Sequence, residues 1–454
     1  MTTLAATLAQ LITRTPYEQL PPLALDHAAM MISSTIASAA AGQNITSAHV
    51  IRELAKEQGG VPEASIWFSQ GAKLPAVTAC RANAVASDAA ASDDSDLRNI
   101  VHLGTQLTSS SLALGEKLNA SGKDVLRAMI LGYETAGRIA ESIMPGYRDL
   151  GFHGSLPASF GAAVAAGCML KLTPPQMAQA IALTAVSMGG LATAADTSEA
   201  REYFAGNAAQ AGMNAAMAAQ KGYIGEERIL DCKRGFLEVF GAEDIDGITR
   251  GWGDSWDIVT DMAIKLVPGG HPNHTLAEAA ANAAREGNVS ADDVDSIIMT
   301  RPLSRKMRIS LPAKPSHPKN LVDVAHTPAY FVAAAVADKD FSWIHASEQK
   351  ITDPVIHALI DKIKVGEPVT KDVEKFRQGA VVTINTKAGR SYTSTVYAPR
   401  GSGPRGIEWA DVDAKYRALV PMAGLDARKI EESLKVIHDF RGIGGVSLLT
   451  ALLR

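Results

Sequence analysis

A lysine and two histidines lie close together in the segment KLVPGGHPNH, residues 265–274. A Pro-Gly-Gly turn separates Lys265 from His271 and His274. Lysine provides a compact positive charge for an anion, and a neutral imidazole is a metal ligand or a proton carrier. The segment could therefore hold a metal, bind a phosphate or contact the carboxylates of a small acid. Because two histidines without a third ligand nearby are not a zinc set, we predict no metal.

His153 precedes a helix of small apolar residues in the segment GFHGSLPASFGAAVAAG, residues 151–167. Ser155 is expected to cap this helix. The first turn of a helix offers unpaired N–H groups and a partial positive charge, so a histidine beside it makes a natural anion site. The alternative, a histidine whose hydrogen bonds are satisfied in the core, is equally compatible with the sequence.

Four aspartates, Asp88, Asp93, Asp94 and Asp96, precede His102 in the segment SDAAASDDSDLRNIVH, residues 87–102. Clustered carboxylates can bind a hard cation, but the spaced series of an EF-hand, which ends with glutamate, is absent. The simpler interpretation is the polar end of a helix. Both interpretations stay open from the residues alone.

The elements that must position these side chains are mostly helices over roughly the first 260 residues. Six segments rich in Ala, Leu and Met favour helix: 26–41, 76–91, 123–142, 155–170, 176–189 and 202–220. Helices that present Ala and Gly to each other can approach closely, which predicts a tight bundle of several layers.

The pattern changes after Pro268. Strands are predicted where polar and apolar residues alternate and β-branched residues are frequent, in segments 294–300, 380–386 and 391–397. The loop KAGR between the last two predicts a hairpin. Helices are predicted in segments 328–338 and 353–364. We therefore predict a mainly α fold. A large all-helical domain is built from both chain ends, residues 1–266 and 399–454, and a smaller α+β lid domain, residues 267–398, is inserted into it.

Composition excludes some partners. The formal net charge of −4 provides no basic face for nucleic acid. The uncharged segment Leu172–Ala195 opens with prolines and is rich in small residues, so we interpret it as a buried helix and predict no membrane span. Three scattered cysteines and an N-terminus without a signal peptide pattern favour the cytoplasm.

Seven segments form an ordered set: DHAAMMISSTIASAAAG (26–42), NAVASDAAASDD (83–94), GFHGSLPASFGAAVAAG (151–167), FAGNAAQAG (204–212), KLVPGGHPNH (265–274), HTPAY (326–330) and VDAKYRALV (412–420). In this order they resemble the motifs of the MmgE/PrpD family, which includes 2-methylcitrate dehydratase, cis-aconitate decarboxylase and iminodisuccinate epimerase. The resemblance runs over nearly the whole chain. It implies the two-domain fold predicted above, a homodimer and no cofactor.

Five positions depart from the family's motifs: Asp88, Ala91, Ser92, Arg201 and Phe204. Asp88 and Phe204 replace histidines, and Arg201 replaces a lysine. Four basic residues match the motifs: His102, His153, Lys265 and His274. The resemblance therefore implies a remodelled site, and it argues against 2-methylcitrate and cis-aconitate as the substrate.

The function implied by the resemblance is that of a cofactor-independent lyase or isomerase acting on a small di- or tricarboxylic acid. The reaction would begin with removal of a proton alpha to a carboxylate, with dehydration, decarboxylation and epimerisation left open. The predicted catalytic residues are His102, His153, Tyr147 and Asp94. The predicted substrate-binding residues are Lys265, His274, Arg201, Asp93 and His271.

Within this set, His102 or His153 would be the base, and Tyr147 would exchange a proton on the opposite face of the substrate. We expect the histidines, Arg201 and Lys265 to share one pocket. A non-catalytic homologue that binds a carboxylate or serves as a scaffold is the competing interpretation, because several family positions are altered. A metal-dependent hydrolase ranks third.

Overall fold

The computed structural model describes residues 2–303, 311–312 and 316–454 and divides into two compact units. The first unit contains Met1–Ile264 and Trp409–Arg454, and the second contains Lys265–Glu408. Sheets are small and helices predominate, so the predicted mainly α fold is confirmed.

The N-terminal part of the first unit is a series of helices with two short strand pairs. Its helices are α1 (Leu4–Arg14), α2 (Pro22–Gly42), α3 (Thr46–Gln58), α4 (Ala76–Ala89), α5 (Gly104–Leu118), α6 (Gly122–Ser142), α7 (Gly146–Asp149), α8 (Ser155–Met169), α9 (Pro174–Ala185), α10 (Ala192–Thr197), α11 (Ala200–Gln220), α12 (Phe236–Val239) and α13 (Asp257–Thr260). Its strands are β1 (Ala64–Ser65), β2 (Lys73–Leu74), β3 (Asp94–Asp96) and β4 (Met262–Ile264).

The second unit combines helices with a four-stranded sheet. Its helices are α14 (His271–Glu286), α15 (Leu321–Ala325), α16 (Pro328–Asp338), α17 (Glu348–Ile351) and α18 (Pro354–Ile360). Its strands are β5 (Val294–Thr300), β6 (Ile363–Val365), β7 (Ala380–Thr386) and β8 (Ser391–Val396), in the order β6-β5-β7-β8. β5 and β6 are parallel, whereas β7 pairs antiparallel with β5 and β8.

The C-terminal segment belongs to the first unit and contains α19 (Trp409–Leu419), α20 (Ala427–His438) and α21 (Ser447–Thr450). α19 packs against α2, the helix that begins at Pro22. Residues nearly four hundred positions apart therefore share one core. The C-terminus of the chain contributes side chains to the interior of the first unit, including the buried Lys415 and Tyr416.

Small residues allow the central helices of the first unit to lie very close together. α8 packs against both α6 and α11. A Cβ atom added at Gly161 of α8 would lie 3.1 Å from the carbonyl oxygen of Gly132 in α6, and one added at Gly212 of α11 would lie 2.4 Å from that of Ser159 in α8. Any larger residue at these contacts would force the helices apart, because packed interiors leave no spare volume.

Two sequence-based boundaries need correction. The segment 353–364, predicted as one helix, ends its helix at Ile360, and β6 begins at Ile363. β6 is half exposed and is held by its pairing with β5, a long-range contact that local propensity does not reveal. The helix predicted over 176–189 is α9, which begins at Pro174 and ends at Ala185. Among the described residues, no helix is long and apolar enough to span a bilayer.

Candidate active site

The aspartate-rich segment folds into the interior of the first unit. α4 ends at Ala89, Ala91 adopts a left-handed conformation with φ of 50°, and β3 begins at Asp94. β3 pairs antiparallel with β4, so that Asp94 lies opposite Ile264. Asp88, Asp93, Asp94 and Asp96 are all at most 2% exposed. Of these four, only Asp88 lies at a helix end, in the last turn of α4, whereas Asp94 and Asp96 lie in β3. No group of three potential metal ligands occurs among the residues that the structure describes.

His102 is held through a single ring nitrogen. Its Nδ1 atom lies 2.7 Å from the carbonyl oxygen of Asp94 and 2.7 Å from Oδ2 of Asp93. Both neighbours can only accept a hydrogen bond, so Nδ1 carries a proton. In the neutral imidazole, Nε2 is then unprotonated, and within the described part of the chain it has no hydrogen-bond partner. His102 is thus oriented like a base whose free nitrogen is ready to accept a proton.

Asp94 has both carboxylate oxygens occupied. The backbone N–H of Gly104, at the start of α5, donates to Oδ1 at 2.8 Å, and the Tyr133 hydroxyl donates to Oδ2 at 2.7 Å. Burial, followed by the charge of Asp93, raises the pKa of the Asp94 carboxyl. These contacts favour a positioning role for Asp94, which fixes the strand carbonyl that holds His102.

His153 has the opposite arrangement. The Ser155 backbone N–H points at its Nδ1 atom at 3.3 Å, and Ser155 Oγ lies 3.0 Å from the same nitrogen. Because a backbone N–H can only donate, Nδ1 is the acceptor and the proton of the neutral ring lies on Nε2. Burial and then the charge of His102 lower the pKa of His153 to about 3. His153 is therefore a neutral N–H donor over the physiological range.

Ser155 does not cap the helix as predicted. It is the first residue of α8, and the N-cap position belongs to Gly154, which provides no side-chain cap. The hydroxyl and the backbone N–H of Ser155 serve His153 instead. The free N–H groups at this helix start therefore fix the tautomer of a neighbouring ring.

The two histidines face each other across a short gap. Their rings are nearly parallel, at an interplanar angle of 12°, and their centroids are 6.1 Å apart. The ring of Phe204, in the first turns of α11, lies 6.3 Å from that of His153. A protonatable nitrogen, a neutral N–H donor and an apolar ring thus line one region of the first unit.

Arg201, one turn before Phe204, is engaged by an aspartate. Its Nε donates to Asp88 Oδ2 at 2.8 Å and its Nη2 to the Asp88 carbonyl at 2.7 Å. Nη2 also donates to Glu202 Oε1 at 3.2 Å. Burial opposes the positive charge of Arg201, but Asp88 and Glu202 more than compensate, so the pKa of Arg201 is raised. Burial raises the pKa of Glu202 to about 7, although Arg201 opposes the rise.

Tyr147 is fully buried in α7, and its hydroxyl donates to the Asn99 carbonyl at 3.0 Å. Burial raises the pKa of its phenol to about 12. This geometry is typical of a tyrosine that fixes a loop, here the one that leads to His102. Its predicted exchange of a proton with substrate stays a prediction and has no support from these contacts.

An arginine-centred network joins the same loop to α6 and α13. The Arg98 guanidinium lies 2.5 Å from Asp257 Oδ2, 2.8 Å from Glu141 Oε2 and 3.2 Å from Asp96 Oδ2. Glu134 accepts a hydrogen bond from the Asp257 backbone N–H at 2.8 Å. Burial raises the pKa values of the Asp96, Glu134 and Asp257 carboxyls.

The remaining predicted residues belong to the second unit. Lys265 is its first residue and is buried, and His271 begins α14 and is also buried. The Nε2 atom of His274 donates to the carbonyl oxygens of Pro268 and Gly269, at 3.2 Å and 3.0 Å, which closes the Pro-Gly-Gly turn. Gly269 has a φ of 91°, and a Cβ atom there would lie 2.4 Å from the Phe331 ring, so the turn requires glycine. That Lys265 and His274 share a pocket with His102 stays a prediction.

The sequence did not reveal the partners that fix the histidines. Tyr133 lies in the middle of α6, where it is indistinguishable from a core aromatic. Lys415 is fully buried in α19, donates to Ser34 Oγ at 2.7 Å and also donates to the Ser92 carbonyl oxygen. A buried lysine in a C-terminal segment similar to a family motif was the one available signal for it.

Comparison with known proteins finds two family models, one after the other along the chain. A model of the MmgE/PrpD N-terminal domain matches residues 6–246, and a model of the MmgE/PrpD C-terminal domain matches residues 268–439. The chain belongs to the MmgE/PrpD family. Cis-aconitate decarboxylase of Homo sapiens is 24% identical over 441 residues, which cover 93% of this chain and 89% of the human protein. The Mus musculus cis-aconitate decarboxylase is 25% identical over 428 residues, covering 89% and 84%.

A fungal relative is similar over a shorter stretch. Cis-aconitate decarboxylase of Aspergillus terreus is 29% identical over 222 residues, which cover 45% of each chain. In this MmgE/PrpD protein, Asp88 and Arg201 form one buried ion pair. Both positions were expected from the resemblance to differ from the family's motifs, and the structure joins them in a single contact.

Proposed function

We propose that this MmgE/PrpD protein is a cofactor-independent lyase or isomerase of a small polycarboxylic acid. The main support is that two neighbouring histidines are held in opposite tautomers. Nδ1 of His102 is protonated and lies beside the Asp94 carbonyl and the Asp93 carboxylate, whereas Nδ1 of His153 accepts a hydrogen bond from Ser155. Family membership and relatives named cis-aconitate decarboxylase support a lyase-type activity on a polycarboxylic acid. Lys265, His271 and His274 stay proposed substrate ligands, and a homodimer in the cytoplasm stays the expected state.

His102 acts as the base in this proposal. Its Nε2 atom accepts the proton alpha to a carboxylate, and the C–H electron pair enters the carboxylate as an enolate. The imidazolium that results keeps its Nδ1 proton directed at the Asp94 carbonyl oxygen, 2.7 Å away, and the Asp93 carboxylate, 2.7 Å from the same nitrogen, stabilises the new positive charge. A carboxylate beside a catalytic histidine assists proton transfer because it stabilises the charged ring.

His153 stabilises the enolate in this proposal. A neutral imidazole with a pKa of about 3 cannot supply a full positive charge. It can donate its Nε2 proton in a hydrogen bond to the oxygen on which negative charge develops. In a dehydration, the electrons then expel the beta hydroxyl group, which takes the proton from the His102 imidazolium and leaves as water. In an epimerisation, a proton from solvent returns to the other face, and His102 releases its own proton to solvent. A decarboxylation would instead start from the imidazolium form of His102: the C–C bond breaks, its electron pair stays on the carbon as carbon dioxide leaves, and His102 protonates that carbon.

The test uses proton exchange and product formation with citramalate, a dicarboxylate that carries a methyl group, and with cis-aconitate, a tricarboxylate, in D₂O, followed by proton NMR. The wild-type protein is expected to consume one of these acids or to exchange its alpha proton. His102→Ala should lower the rate by about 10² to 10⁴ with little change in affinity, because the base acts in the transition state. His438→Ala is the matched control, since His438 also pairs with an aspartate, Asp413, at 3.0 Å and lies outside the cluster.

Two outcomes would contradict the proposal. Equal rates for wild type, His102→Ala and His153→Ala would show that neither histidine is the base. Binding of both acids without turnover or exchange would support a non-catalytic carboxylate-binding homologue, which the neutralisation of Arg201 by Asp88 favours.

A further inference from the structure

Arg201, the cation on α11, is already paired with carboxyl groups of the protein. Arg201 is only 15% exposed, and its nearest partner, Asp88, is 2% exposed. Nε and Nη2 donate to the side chain and the backbone of Asp88, and Nη2 also reaches Glu202. Of the three guanidinium nitrogens of Arg201, Nη1 is the one that makes no hydrogen bond to the described residues. One positive charge thus faces two carboxyl groups within hydrogen-bond distance.

The balance of charge around Arg201 is neutral or negative. Asp88 alone compensates the guanidinium. Glu202 adds a second carboxyl group, on a residue that is 4% exposed, and its Oε2 atom has no hydrogen-bond partner among the residues that the structure describes. A pKa of about 7, raised by burial, lets Glu202 gain or lose its proton near neutrality. A substrate carboxylate placed here would meet no net positive charge, and its own desolvation would be uncompensated.

The neighbouring surface is apolar. Phe204 follows Arg201 by one helical turn and lies 6.3 Å from His153, the proposed enolate donor. Gly190 packs onto the same ring, where an added Cβ atom would lie 3.1 Å from it. The part of a substrate that lies beside His153 on this side therefore contacts hydrocarbon and a compensated ion pair.

We propose that the substrate presents an uncharged, apolar substituent, and not a carboxylate, to Phe204 and the Asp88–Arg201 pair. This inference rests on the proposed function and narrows its substrate class to acids with fewer carboxylates than cis-aconitate. Asp88, Glu202 and Phe204 are then the residues that determine specificity. A third carboxylate is rejected because Arg201 is already neutralised, a form of selection by repulsion.

The test compares two ligands that differ at one group. Tricarballylate carries a central carboxylate, and 3-methylglutarate has a methyl group in its place on the same carbon chain. Isothermal titration calorimetry on the wild-type protein should show at least about tenfold tighter binding of 3-methylglutarate, a difference of about 1.4 kcal/mol. Asp88→Asn keeps a hydrogen-bond acceptor for Arg201 but removes the charge, and it should shift the ratio of the two dissociation constants at least about tenfold towards tricarballylate.

A second variant covers the case in which Asp88→Asn does not fold. Glu202→Gln removes the other carboxyl charge beside Arg201 and should shift the ratio in the same direction. The matched control is Asp244→Asn, which removes the carboxylate from an exposed pair with Arg250, 3.1 Å apart. This control should leave the ratio unchanged.

Each outcome has a distinct meaning. Binding of tricarballylate by the wild-type protein at least as tight as that of 3-methylglutarate overturns the inference and leaves the proposed function intact. An unchanged ratio in both Asp88→Asn and Glu202→Gln also overturns it. Failure of both ligands to bind at millimolar concentration overturns the proposed function itself, and the inference falls with it.

Discussion

Hydrogen bonds to single nitrogen atoms assign different roles to two histidines that the sequence could not separate. The motifs GFHGSLP and SDLRNIVH place both residues in the predicted site, and the structure brings their rings within 6.1 Å. The tautomers depend on a backbone N–H from Ser155 and a backbone carbonyl from Asp94. No residue type reports a backbone contact, so this part of the site could not be predicted from composition or spacing.

The assignment of His153 as a neutral donor predicts a specific pH dependence. His153→Gln retains an N–H donor, so we expect a moderate loss in kcat/KM, about tenfold, with the acid limb of the pH profile unmoved. His153→Leu removes the donor and should lose about 10² to 10³, as for other enolate or oxyanion donors. The measurement is kcat/KM from about pH 4 to about pH 9 on the acid that the wild-type protein turns over. A shift of the acid limb in His153→Gln would mean that His153 itself titrates there.

The lowered pKa of His153 also makes the free energy of unfolding depend on pH. The folded-state pKa of about 3 lies below the unfolded value of 6.5, so folding favours the neutral ring. Its contribution is complete above the unfolded pKa and is lost as the pH falls through 6.5 towards 3. His153→Gln should therefore lose less stability than wild type over this acid window, as measured by urea denaturation at each pH.

Pairing of β3 with β4 is the element-scale feature that builds the site. Six helices in the N-terminal part of the first unit follow from runs of Ala, Leu and Met, and β5, β7 and β8 follow from alternation, so their positions were predicted within a few residues. The helices α1, α3 and α5 were not among the predicted segments, and neither was the strand β3. Its sequence, Asp-Ser-Asp, has low strand propensity, and it is extended because β4, over 160 positions later, provides its partner.

Lys415 links the C-terminal helix α19 to the turn that precedes Asp93. It donates to the Ser92 carbonyl oxygen, which also accepts from Ser38 Oγ at 2.8 Å. Lys415→Met should displace Asp93 relative to His102 and lower kcat roughly 10²-fold, the effect of a misplacement near 1 Å. KM should change little, because Lys415 is a positioning residue with no contact to substrate in this proposal.

Nitrogen-15 NMR of the His102 side chain distinguishes positioning from a general loss of structure. Lys415→Met is expected to change the nitrogen-15 chemical shifts of the His102 ring, whereas Lys435→Met, at an exposed position on α20, is not. Unchanged chemical shifts together with a lower melting temperature would assign Lys415 to stability alone.

A buried carboxyl group beside Arg98 makes stability depend on pH. Burial, and then the charge of Glu134, raises the pKa of Asp257 well above its ordinary value. A raised carboxyl pKa contributes stability that is complete below the unfolded pKa and is lost as the pH rises through the folded value. Wild type should thus lose stability relative to Asp257→Asn as the pH rises above 3.8, the ordinary pKa of this carboxyl, measured as urea midpoints. Parallel profiles for the two proteins would contradict this prediction.

Oligomeric state is the other prediction at this scale. The family resemblance implies a homodimer, so light scattering at micromolar concentration should give about twice the chain mass of 47.8 kDa. A mass of one chain under these conditions would contradict it. Composition and helix patterns carry no information on which surface a second copy covers, so the sequence supports the state only through the resemblance.

The buried contact between Asp88 and Arg201 also couples the fates of the two positions. A change at position 88 alone leaves a buried arginine without its nearest carboxylate, and an unpaired buried charge costs several kcal/mol. A change at position 201 alone leaves the buried carboxylate of Asp88 without its cation. The two positions are therefore expected to be epistatic: the double variant Asp88→Asn with Arg201→Gln should lose less stability than the sum of the two single losses.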